Sequence, residues 1–132
     1  MSHYTILIID DVPDHRDFLR RLLRGAGFRV IEANPGAEAL DAAGKETPDL
    51  ILTALSLPGQ PSWETARLLR ALPSLVGTPI LGATVFNTLL SRSRVRAIGC
   101  ADFVDKPFDL DELLLHIAAL LPPKAPLALI AA

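Results

Sequence analysis

The sequence predicts an α/β three-layer sandwich, a parallel sheet with helices on both faces. Three observations carry this. Short β-rich apolar runs alternate with segments of helical period five times. The connections are short, and right-handed βαβ units with short loops build a parallel sheet. Runs such as "TILII" (Thr5–Ile9) are apolar without alternation, as strands buried on both faces are.

Each element has its own signal. After the first strand, Pro13 suits a first helical turn, and Phe18, Leu19, Leu22, Leu23 and Ala26 recur at helical spacing until Gly25 and Gly27 stop the helix. "RVIEA" (Arg29–Ala33) is a short second strand. A small helix follows from Pro35 to Ala43, with Ala39, Leu40 and Ala43 inward and Gly44 after it. Leu50–Ala54 is the third strand, and Trp63–Leu72 a helix bounded by Pro61 and Pro73. Pro79–Ala83 is the fourth strand, Thr88–Ile98 a weaker helix closed by Gly99, and Asp102–Asp105 the fifth strand. Leu110, Leu113, Leu114, Ile117, Ala118 and Leu121 mark the clearest amphipathic helix. Asp109 is its cap, with Glu112 three residues on. Residues 1–121 thus form one domain. Residues 122–132, "PPKAPLALIAA", form a Pro-rich apolar tail.

Composition narrows the function. A chain of 132 residues, half of them hydrophobic, can bury a single core without staples. A net charge of −2 argues against a nonspecific nucleic-acid binder. The single cysteine, Cys100, has no disulfide partner and no Cys/His cluster, which fits a reducing, cytoplasmic setting. "MSHYTILIIDD" lacks the basic start and cleavage site of a signal peptide, and no apolar run approaches the roughly 20 residues that span a bilayer. P-loop, dinucleotide-binding and nucleophile-elbow motifs are missing, and His3, His15 and His116 are scattered.

Open parallel sheets place their sites outside the carboxyl ends of the strands. Asp10-Asp11, Ala54, Thr84 and Lys106 stand at those ends. Carboxylates suit a hard cation such as Mg²⁺, and a lysine with a threonine suits phosphoryl oxygens. Each residue alone reads as a turn, cap or solvated side chain. Their convergence on one rim points to a site.

These residues resemble the receiver domain of bacterial two-component response regulators. The likeness runs from Ile6 to Leu121 through "ILIIDD", "GAEAL", "PDLIL", "LPG", "TPILGAT" and "GCADFVDKPFD", in family order and spacing. It implies a doubly wound, flavodoxin-like sheet of five strands in the order 2-1-3-4-5 with five helices. It implies that Asp10 and Asp11 form the acidic, Mg²⁺-binding pocket, with Ser56 beside it, and that Thr84, Phe103, Lys106 and Pro107 are the switch and pocket residues. It also implies that an aspartate ending the third strand accepts the phosphoryl group. Ala54 stands there instead. A methyl group cannot attack phosphorus. Thr53, Ser56, Gln60-Pro61-Ser62 and Val85 depart from the family's habit around the same pocket, as drift after loss of phosphorylation would leave them.

The resemblance therefore implies a pseudo-receiver, a phosphorylation-independent interaction module and not an enzyme. No cofactor is required, and Mg²⁺ binding is at most weak or vestigial. Partners are other signalling proteins, or a second copy, engaged through the helix over 88–98, the fifth strand and the last helix. Arg92, Arg94, Arg96 and Phe103 lie on that surface; direct nucleic-acid and membrane contacts are not expected. The alternative is a receiver phosphorylated on another residue near the acidic pocket. Asp49 is a poor candidate, since it lies about 16 Å down the third strand by strand rise.

Overall fold

The carboxyl ends of four neighbouring strands form one rim, and the pairing of the strands explains why. A computed structural model describes residues 4–55, 61–84, 93–94, 96–106 and 109–122. Its strands are β1 (Thr5–Ile9), β2 (Arg29–Ala33), β3 (Leu50–Ala54), β4 (Ile80–Thr84) and β5 (Asp102–Asp105). All pair in parallel in the order β2-β1-β3-β4-β5. This is the order the resemblance implied. Ile9 pairs with Ala33 and Thr53, Ala54 with Ala83, and Thr84 with Asp105. Asp10 and Ala54 are thus the next residues along adjacent strands, with Thr84 one strand further on.

The four α-helices among the described residues are α1 (Pro13–Gly25), α2 (Ala37–Lys45), α3 (Pro61–Ala71) and α4 (Leu110–Leu120), and a 3₁₀ turn spans Pro73–Leu75. Five helices were expected. The one over 88–98 lies largely outside the described residues, although Ser93, Arg94, Arg96 and Ala97 are helical. The second helix starts later than expected and runs through Gly44, ending at Lys45. The third begins at Pro61 because a proline is tolerated where the N–H would have no intrahelical partner. Pro13 occupies the same position in α1. Asp109 caps α4 as expected, its Oδ1 accepting the Glu112 amide at 3.0 Å. The tail 123–132 lies outside the described residues.

Successive β1 residues point to opposite faces, so Ile6 and Ile8 pack with α1 and α4, and Leu7 and Ile9 with α2 and α3. The helices bury narrower stripes than their periodicity predicted. Leu19 and Leu23 are the buried residues of α1, and Leu113 and Ile117 those of α4. Phe18 is 56% exposed and Leu110 43%, and Ala26 and Ala118 are exposed too. A helix lying on a flat sheet seals only the residues nearest its line of contact, and these flanking positions rotate away from it. No helix among the described residues is long and apolar enough to cross a membrane.

Candidate functional site

Asp10 is the centre of the rim. It follows the last residue of β1 and is 2% exposed. Its amide donates to the Ala33 carbonyl at 3.2 Å, so the β1–β2 ladder holds its backbone. Its Oδ1 accepts the Val12 amide at 2.9 Å, which turns the chain into α1. A buried carboxylate is costly unless it is paired. Lys106 supplies the pairing, its Nζ 3.2 Å from Oδ2, and His15 Nδ1 lies 3.3 Å from the same oxygen, an ion pair when the ring is protonated.

Lys106 arrives from the far side of the sheet. Its amide donates to the Thr84 carbonyl at 3.0 Å, extending the β4–β5 pairing by one residue and fixing where the side chain starts. Thr84 is itself buried. Arg16, also in the first turns of α1, donates to the Asp10 carbonyl at 2.5 Å and to Asn34 Oδ1 at 2.9 Å.

The expected site residues divide accordingly. Asp10, Thr84 and Lys106 sit on one rim with Ala54 half-buried among them. Asp11 is exposed to solvent. Phe103 is half-buried and packs with Ile98 against the core on the α2–α3 side. Arg94 and Arg96 are exposed. Ser56, Arg92 and Pro107 lie outside the described residues. Asp49 is at the opposite end of β3, accepting the Thr5 amide at 2.7 Å, as its distance along the strand predicted. His15 and Arg16 were missed. The available signal was their place in the first turns of the helix that leaves Asp10. Among the described residues no three His, Cys, Asp or Glu side chains converge to hold a metal.

A family model for the response regulator receiver domain matches residues 6–118. The chain belongs to that family. It is thus a receiver domain of the two-component signalling type, and receiver domains are signalling modules. Response regulator MprA of Mycobacterium leprae is 36% identical over 116 residues, which are 88% of this chain and 50% of that protein. The CAI-1 autoinducer sensor kinase/phosphatase CqsS of Vibrio cholerae is 35% identical over 115 residues, 86% of this chain and 17% of that protein. The receiver therefore spans about half of one such relative and a smaller part of the other. Among solved structures, chemotaxis response regulator CheY4 of Vibrio cholerae superposes with a TM-score of 0.83 at 28% identity, covering 91% of this chain and 100% of that one. A response regulator from Chloroflexus aurantiacus gives 0.82 at 30% identity, covering 90% and 98%.

Proposed function

We propose that this receiver works without phosphorylation, as a protein-interaction module of a two-component or phosphorelay system. One observation carries the reading: β3 ends in Ala54, on the rim between Asp10 and Thr84. The family places its acceptor carboxylate there. A methyl group has no lone pair to offer phosphorus and forms no acyl phosphate. Thr84 and Lys106, which would hold phosphoryl oxygens, remain on the rim and serve the fold.

The surface for partners is the helical segment around Arg94 and Arg96, with β5 and α4. Exposed arginines suit an acidic partner, and Leu115, 70% exposed on α4, adds an apolar contact. The partners are other signalling proteins or a second copy of the chain, in the cytoplasm, with no enzymatic step, no required cofactor and no direct contact with nucleic acid or membrane.

NMR spectra recorded before and after Mg²⁺ and beryllofluoride test the reading. The phosphoryl mimic needs an acceptor carboxylate, so the amides of Asp10, Thr84 and Lys106 should stay where they are. Saturable shifts at these amides would point instead to an acceptor elsewhere in the acidic pocket.

A further inference from the structure

Receiver pockets imply a divalent cation, and the donors of this chain can be weighed against one. Mg²⁺ requires near-octahedral oxygen ligands, with one or two carboxylates among them. Ala54 supplies no oxygen, and Asp11 is turned to solvent. Asp10 Oδ1 is bonded to the Val12 amide, and Oδ2 is shared by Lys106 and His15. A site awaiting its metal would leave buried oxygens unpartnered, yet no buried side-chain nitrogen or oxygen among the described residues lacks a partner. These donors do not fit the ion.

We propose that Lys106 and His15 together replace the metal, clamping the buried Asp10 carboxylate at one oxygen from two different elements so that the rim needs no cation. The inference rests on the reading of Ala54 as a lost acceptor, because an aspartate there would compete with Asp10 for Lys106. The sheet order explains how the clamp is built. β5 and β1 are separated by β3 and β4, about 14 Å at the usual strand spacing. Lys106 crosses the ends of both strands to reach Asp10, and the small Ala54 side chain leaves that route open. His15 approaches the same oxygen from the first turn of α1. The clamp therefore ties together three elements, β1, α1 and the end of β5, that a bound cation and a third carboxylate would otherwise hold.

The test is a Mg²⁺ titration of the full chain, read by calorimetry and by thermal melting, with no phosphodonor present. The parent should bind Mg²⁺ only weakly and melt at the same temperature with and without Mg²⁺. Lys106→Met should melt lower, recover with Mg²⁺, and bind it about tenfold more tightly than the parent, a difference of ~1.4 kcal/mol. His15→Leu changes a half-exposed ring, so it should fold as the parent does and gain roughly threefold in Mg²⁺ affinity. The double variant Asp10→Asn, Lys106→Met should gain nothing. Saturable binding by the parent with a rise in its melting temperature overturns the proposal. So does the lack of any gain in both single variants. If Lys106→Met fails to fold even with Mg²⁺, His15→Leu decides alone. An intact mass of the parent after acetyl phosphate reads Ala54 separately: an adduct would sink the functional reading, whereas the Mg²⁺ results bear on the clamp alone.

Discussion

At the amino end of the sheet, Asp49 accepts the Thr5 amide, Thr78 Oγ1 donates to the Pro48 carbonyl at 3.2 Å, and Arg70 donates to the carbonyls of Thr78 and Leu75. At the carboxyl end, Lys106 and His15 meet on the side chain of Asp10. The first set of side chains is bonded to backbone. Each one satisfies a loop or strand group that the parallel ladder leaves open, and none faces a charge that needs a ligand. The second set surrounds a buried charge. In a parallel α/β sheet, loops that close the amino end serve stability, and residues at the carboxyl end serve ligands. This receiver keeps that division, but its carboxyl-end side chains now bind one another.

Arg70→Ala should give the largest effect that separates the two ends. It removes two charge-assisted hydrogen bonds to carbonyls and the packing of the arginine stem against Gly99. A Cβ on Gly99 would approach that stem within 2.2 Å, and the residue's φ is +100°. The expected loss is about 2–3 kcal/mol in chemical denaturation. It should be the same with and without Mg²⁺, unlike the loss from Lys106→Met. A Mg²⁺-dependent loss from Arg70→Ala would break the division between the ends.

Cys100 provides a second contrast, between a sealed amino end and an open rim. It is 5% exposed, and burial pushes its thiol from the ordinary 9.0 up to about 12, with Arg70 opposing weakly. The native protein should therefore resist alkylation at neutral pH and react only when unfolded. The unfolded chain releases the thiol proton near 9 and the folded chain near 12. This contribution to stability is therefore complete below about pH 9 and falls away as the pH climbs toward 12. Rapid stoichiometric labelling of the folded chain at neutral pH would show that the amino end opens readily.

The smallest expected effect is that of Tyr4→Phe. Tyr4 Oη donates to the Pro122 carbonyl at 2.7 Å, joining the residue before β1 to the second residue after α4. The bond is exposed, so its loss should cost about 0.5–1 kcal/mol. A much larger drop in melting temperature would mean that the docking of α4 on the sheet depends on this anchor.

Strand order, strand ends and the convergence of Asp10, Thr84 and Lys106 on one rim were legible because they follow from where apolar runs stop and from a known sheet order. The exposure of Phe18 was not legible. Periodicity identifies the apolar face of a helix but not how narrow its line of contact with the sheet will be, and Phe18 lies one residue to the side of Leu19. His15 was set aside as one of three scattered histidines, since nothing in the sequence states how α1 is rotated over Asp10. The packing of Arg70 on Gly99 was equally hidden, because it joins the end of α3 to the turn before β5, which come together only when the sheet forms. His116, another of the scattered histidines, has its Nδ1 2.9 Å from Asp102 Oδ2, linking α4 to β5.

The most direct test of the central claim is an intact mass of the parent and of Ala54→Asp after incubation with Mg²⁺ and acetyl phosphate. The variant restores a carboxylate beside Asp10, Thr84 and Lys106, so it should gain one phosphoryl group, whereas the parent should keep its unmodified mass. A stoichiometric phosphoryl adduct on the parent would contradict the account, because some residue other than Ala54 would then be accepting the group.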